Sequence, residues 1–178
     1  SSTEREFGKR MSRKARALGM SATTFRNASG LPHSKQRTTA RDMARLAIAM
    51  RRDFPQYFGF FSTKSFRWRG KRFGNHNKLL SNYTGTDGIK TGYIDASGFN
   101  LVATVERNGV RLIGVVFGGR TGKTRDAHMV KILDKSFKRV KPGDIRTQLA
   151  VASSNAVRPL PKTLPRSLPV PPPAPDTL

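Results

Sequence analysis

Lys90, Thr91 and Gly92 stand in a row and combine three properties that one binding surface could use. The Lys90 ammonium is a fixed positive charge with three donors and no acceptor. The Thr91 hydroxyl can donate to a carboxylate. Gly92 has no Cβ, so another backbone can lie close against the chain there. The backbone N–H of the next residue, Tyr93, is then available to a carbonyl oxygen on which negative charge develops, and such a donor is half of an oxyanion hole. The same residue types also fit an ordinary strand with a solvated lysine and a turn glycine. Three residues alone do not separate the two.

The elements around them carry more weight. Leu101-Val-Ala-Thr-Val105 is apolar and partly β-branched, Asn108-Gly109 is a strong hairpin signal, and Val110-Arg-Leu-Ile-Gly-Val-Val-Phe117 returns to Gly118-Gly119. Residues 90–92 therefore belong beside a two-stranded antiparallel unit, in one sheet with it. A helix follows over 122–139, with Ala127, Val130, Leu133 and Phe137 at helical spacing as its inward stripe. Arg120 and Arg125 fall near the start of that helix. Taken by itself, Arg125 reads as a pair with Asp126 or a solvated side chain.

Upstream, a helix over 3–18 turns Phe7, Met11, Ala15 and Leu18 inward and stops at Gly19. Its outer face of Arg5, Lys9, Arg13 and Arg16 fits an anion-binding surface or, the favoured reading, a solvated helix face. Thr39 caps a second helix with Asp42 three residues on, and Met43, Leu46, Ala47 and Met50 form its buried stripe. The aromatic run 54–61 reads as a short packing helix, and 64–69 as a strand that turns at Gly70. Phe66-Arg-Trp-Arg-Gly-Lys-Arg-Phe73 interleaves aromatics with cations. It fits either a surface that stacks bases and holds phosphates or, the favoured reading, a basic hairpin whose aromatics face the core. His33 reads as an exposed loop residue. His76 has no second ligand at metal spacing.

The chain of 178 residues carries 34 Lys plus Arg against 11 Asp plus Glu, a formal net charge of +23, and no cysteine. Such a charge attracts anionic partners: nucleic acid, anionic lipid heads or anionic wall polymers. Disulfide frameworks and thiolate chemistry are excluded. No run approaches the length of about 18 apolar residues that a membrane-spanning helix needs. Residues 158–178 hold eight of the eleven prolines, a composition for an extended linker rather than a packed core.

Several segments in order extend the Lys90-Thr91-Gly92 signal: Phe25-Arg-Asn-Ala-Ser-Gly-Leu-Pro32, Thr38-Thr-Ala-Arg-Asp-Met-Ala44, Asn75-His-Asn-Lys-Leu-Leu80, the run from Asp87 to Leu101, and that from Leu112 to Gly119. On these the chain resembles the D-alanyl-D-alanine carboxypeptidases, the low-molecular-mass penicillin-binding proteins, from about residue 5 to residue 140. The resemblance implies an α/β fold of the α+β type, with an antiparallel sheet packed with helices as in penicillin-recognising transpeptidases and β-lactamases. It implies a serine enzyme that trims D-Ala from peptidoglycan stem peptides, binds β-lactams, needs no cofactor or metal, and works in the periplasm or another extracytoplasmic part of a bacterial envelope. Lys90, Thr91, Gly92 and Arg125 would hold substrate, with Lys90 and Tyr93 taking part in catalysis.

Members of that family use Ser-x-x-Lys, then Ser-x-Asn, then Lys-Thr-Gly. No Ser or Thr in this chain has Lys three positions later, and the one Ser-x-Asn, Ser153-Ser154-Asn155, follows Lys-Thr-Gly and reads as coincidence. The expectation is therefore a C-terminal part of a catalytic domain over 1–140 and a Pro-rich linker over 141–178. The nucleophile would lie upstream, and the isolated chain would be inactive. Three other readings stay open: a β-lactamase, a nucleic-acid-binding module driven by charge, and a peptidoglycan-binding remnant without turnover.

Overall fold

The structure, a computed structural model, describes residues 3–140. The proline-rich segment and Ser153-Ser154-Asn155 lie outside the described residues.

Helix α1 (Glu4–Ala17) begins where the Thr3 side chain accepts a hydrogen bond from the Glu6 N–H. Its inward line differs from the expected stripe, because Phe7 is 40% exposed while Gly8 and Ala15 are buried. The reason is a close approach. A Cβ at Gly8 would stand 2.8 Å from the Arg26 carbonyl, so the following loop packs directly on the helix backbone there. Ser12 fastens the same line, accepting from the Phe25 N–H at 2.9 Å and donating to the Phe25 carbonyl at 3.0 Å.

Helix α2 (Ala40–Asp53) has the expected cap, with the Asp42 N–H donating to Thr39 Oγ1. Ala47 is buried, and Met43, Leu46 and Met50 are half-buried. Asp42 does not close a capping box. Its carboxylate is buried and accepts from Thr23 Oγ1 at 2.8 Å and the Ala22 N–H at 3.0 Å, tying α2 to the loop after α1. A short helix α3 (Pro55–Phe58) and a 3-10 turn (Gly59–Ser62) follow, as the aromatic run suggested.

Strands β1 (Ser65–Trp68) and β2 (Lys71–Gly74) form a separate hairpin. Here the expectation of inward aromatics fails. Phe66, Trp68 and Phe73 are 60%, 61% and 43% exposed, and no core lies beneath them among the described residues.

After the one-turn helix α4 (Leu79–Asn82), strands β3 (Thr86–Ile94), β4 (Gly98–Arg107) and β5 (Val110–Gly119) form an antiparallel sheet in the order β3-β4-β5. Asn108 and Gly109 turn β4 into β5, both at positive φ as the tightest hairpins require. Side chains of β4 alternate between two helical layers. Leu101, Ala103 and Val105 pack with Met129 and Leu133 of α5 (Gly122–Phe137), whereas Val102 packs with Ala47 and Phe58. A central strand buried on both faces explains why 101–105 is nearly all apolar.

Helix α5 is turned relative to the expected stripe. Ala127 is exposed, and the buried line is Arg125, Met129 and Leu133. Gly114 sets this rotation: a Cβ there would meet Met129 Sδ at 2.3 Å, so the helix settles where the strand lacks a side chain.

Candidate functional site

Among the described residues strand β3 is an edge of its sheet, and Asp87 holds it in place. The Asp87 carboxylate accepts from Thr104 Oγ1 on β4 and from Arg111 on β5, each at 2.5 Å, and Arg51 of α2 lies 3.7 Å away. Asn77, buried in the preceding loop, donates to the Gly88 carbonyl at 3.3 Å and accepts from the Leu79 N–H. Asn77 therefore fixes the loop rather than lining the groove.

Past this anchor β3 borders a cleft of about 790 Å³. Lys90, Thr91, Gly92 and Tyr93 line one side, Phe99 adds to it from β4, and Gly122, Lys123, Arg125 and Asp126 from α5 face them. All five residues singled out from sequence thus come to one cleft. Consecutive strand residues point to opposite faces, so a cleft that takes both Lys90 and Thr91 must run along the open strand edge.

The chain does not explain its own glycine at position 92. A Cβ there would meet nothing within 4 Å, and the backbone is not in the left-handed region. Among the described residues, nothing requires the missing side chain. Gly119 is the opposite case. A Cβ there would stand 2.6 Å from Arg125 Cβ, so this glycine makes the seat for Arg125.

Arg125 is only 4% exposed. Its Nε and Nη2 donate to Asp126 Oδ1 at 3.0 and 2.8 Å, and Nη1 donates to the Asn100 carbonyl at 3.2 Å. The pair with Asp126 is therefore present together with the cleft position. Guanidinium has five N–H donors, which leaves two after these three bonds. Lys90 Nζ donates to the Thr91 carbonyl at 2.7 Å. Among the described residues it forms no ion pair. Lys78, Lys90, Lys123 and Arg125 thus face a cleft whose single carboxylate, Asp126, is already engaged. Such a cleft favours an anion. The Tyr93 phenol donates to Asp95 at 2.7 Å, and this bond raises its pKa above the ordinary value. Its ring lies 4.4 Å from that of Phe99.

Comparison with known proteins matches residues 1–121 to the D-alanyl-D-alanine carboxypeptidase family. The chain belongs to that family. The carboxypeptidase DacA of Escherichia coli K12 is 42% identical over 123 residues, covering 68% of this chain and 30% of that protein. Penicillin-binding protein 5 of Haemophilus influenzae superposes with a TM-score of 0.72 at 33% identity, over 75% of this chain and 40% of that one. Penicillin-binding protein D2 of Listeria monocytogenes, solved with ampicillin bound, superposes with a TM-score of 0.68 at 32% identity, over 74% of this chain and 56% of that one. The chain thus spans 30% of the length of the curated carboxypeptidase DacA. The fold of these neighbours is the helix-packed antiparallel sheet expected from the sequence.

Within this family member, Arg125 lies just past the matched residues. Sequence reasoning missed Phe99, Asn82 and Lys123 as cleft residues; His76 and Lys78, the neighbours of Asn77, are in the lining, as one of the two readings of that segment allowed. Strand register could have found Phe99, since it pairs directly with Tyr93 across the tight turn. His33 lies elsewhere, exposed, with Nδ1 accepting from the Lys35 N–H. No group of side chains suited to a metal occurs among the described residues.

Proposed function

We propose that this chain forms the carboxylate-binding and oxyanion side of a serine D-Ala-D-Ala carboxypeptidase. The observation that carries the reading is the union of Lys90, Thr91 and Gly92 on an open strand edge with a buried, oriented Arg125 in one cationic cleft. Residues 1–140 would be the C-terminal part of the catalytic domain, and 141–178 a linker.

The terminal carboxylate of a stem peptide lies against Lys90, the Thr91 hydroxyl and the two free N–H groups of Arg125. Gly92 admits the peptide backbone, and the Tyr93 N–H faces the scissile carbonyl oxygen. A serine outside this chain's 178 residues adds to that carbonyl. The C–N bond breaks, the terminal D-Ala leaves with a proton on its amine, and a serine ester remains. Water then cleaves the ester and restores the hydroxyl. Negative charge on the carbonyl oxygen in both additions meets a donor already in place. β-Lactams carry a carboxylate beside a reactive amide and fit the same contacts. The excess of basic residues suits an extracytoplasmic setting among anionic envelope polymers better than a nucleic-acid partner.

The direct test is a titration of the isolated chain with an acyl-D-Ala-D-Ala peptide, followed by amide NMR. Shifts should centre on residues 90–93 and the Arg125 side chain, and the C-terminal amide of the same peptide should bind far more weakly. Equal binding of acid and amide would remove the carboxylate role. A fluorescent penicillin should leave the isolated chain unlabelled; a stable covalent adduct would show a nucleophile that this reading places elsewhere.

A further inference from the structure

The β1–β2 hairpin stands outside the cleft between β3 and α5, with Phe66 and Gly74 bordering a neighbouring pocket, and its charges and rings are uncompensated among the described residues. Its register pairs Phe66 with Phe73, Trp68 with Lys71 and Arg67 with Arg72. Alternation therefore puts Phe66, Phe73 and Trp68 on one face and Arg67 with Arg72 on the other, while Arg69 caps the tip. Residues 66–74 are all exposed. Two-faced alternation ordinarily marks a ribbon with its apolar side on a core. Here no such core lies under it among the described residues.

Charge says what could cover it. No Asp or Glu occurs between Asp53 and Asp87, a stretch that holds Lys64, Arg67, Arg69, Lys71, Arg72 and Lys78. None of these six cations forms an ion pair among the described residues. The aromatics decide between anionic partners. Bases and sugars need free ring faces to stack on. Phe66 and Phe73 each spend one face on the other, centroids 5.3 Å apart, and Arg69 lies 5.6 Å over one face of the Trp68 ring. The hairpin thus offers an apolar cluster of exposed rings, an indole N–H and a fringe of cations. That set matches a lipid interface, where amphipathic rings sit at headgroup depth and cations meet anionic headgroups.

We infer that the β1–β2 hairpin docks this protein on an anionic phospholipid surface, with Trp68 and the Phe66–Phe73 pair in the headgroup layer and Arg69 and Lys71 on lipid phosphates. The inference does not depend on the carboxypeptidase reading: none of these residues lines the cleft between β3 and α5, and only Phe66 reaches a neighbouring pocket that Lys90 and Thr91 also border.

Trp68 is the single tryptophan of the chain, so its fluorescence reports on this hairpin alone. The full chain is titrated with vesicles of mixed phosphatidylglycerol and phosphatidylcholine, and with phosphatidylcholine alone. The expected result is a blue-shifted Trp68 emission, quenched by brominated acyl chains, with the anionic vesicles only. Arg69→Asn with Lys71→Gln should weaken partitioning about 30-fold, at roughly fivefold for each cation removed near the surface. Arg10→Gln with Arg13→Gln on α1 is the control for general charge attraction and should cost much less. Vesicle binding without a change in Trp68 emission, or an equal loss in the α1 pair, would overturn the assignment. So would an emission shift with single-stranded DNA and none with vesicles.

Discussion

Replacing Gly92 with alanine separates a glycine kept for packing from one kept for a ligand. In the folded chain the new methyl enters open space, with no atom within 4 Å, and the backbone needs no left-handed conformation. The folded state therefore loses nothing, while the unfolded chain loses freedom. That difference stabilises by about 0.4–1 kcal/mol, or roughly 1–4 °C in Tm for a protein of this size. Binding moves the other way. A peptide backbone drawn against the strand must occupy the volume of the methyl or shift away from Lys90 and Thr91. Overpacking of this kind costs about 1–3 kcal/mol, a loss of roughly 5–150-fold in affinity. Thermal melts by circular dichroism and the NMR titration with acyl-D-Ala-D-Ala read the two effects on one sample. Unchanged affinity would show that no ligand uses the space above Gly92. A lower Tm would show that Gly92 serves the fold, and the argument from its empty surroundings would be lost.

Three further outcomes follow from the same geometry. Arg125→Lys keeps a charge but cannot make the fork that reaches both Asp126 and the Asn100 carbonyl; peptide affinity should fall at least tenfold, with about 1–3 kcal/mol of stability lost to buried groups without partners, read by titration and urea melts. Gly114→Ala forces a methyl against Met129 at 2.3 Å and should lower stability by about 1–3 kcal/mol, with little change in affinity per folded molecule. Asp42 is pushed up by burial, but hydrogen bonds from Thr23, Ala22 and Arg45 outweigh this and hold its pKa below the ordinary value. A depressed carboxyl pKa contributes stability that is present above the unfolded value, near 3.9, and lost as pH falls through the folded value. Urea midpoints of Asp42→Asn should therefore lose less than the parent's on acidification below about pH 4; parallel curves would disprove the linkage.

The fold was legible wherever burial was symmetric. The run from Leu101 to Val105 announces a strand covered on both faces, Asn108-Gly109 announces its turn, and Thr39 announces the start of α2. Rotations of helices were not legible. Phe7 and Ala127 fit helical apolar stripes yet are exposed, because the contact lines are set by glycines, Gly8 on the helix itself and Gly114 on the strand opposite α5. Apolar periodicity records which residues could be buried. A missing Cβ decides where two backbones come closest, and that depends on a partner remote in sequence.

The same asymmetry runs through the site. Lys90, Thr91 and Gly92 were found because they are contiguous, and Phe99 was missed because its place depends on register with Tyr93. Arg125 was found as a cation of suitable type, but its orientation rests on Asp126, Asn100 and Gly119 together, and the part of uncharged Asn100 and Gly119 is visible only once β4 and β5 are placed against α5. The hairpin from Phe66 to Phe73 inverts the lesson. Its alternation was read correctly and its burial wrongly, since period-two patterning states only that the two faces differ. It is silent on whether protein, lipid or water lies against the apolar one. The absence of acidic residues from Phe54 to Thr86 is what favours an anionic surface: Lys64, Arg67, Arg69, Lys71 and Arg72 form no ion pair among the described residues, and a ribbon lying on the protein's own core has no need of five such cations at its margins.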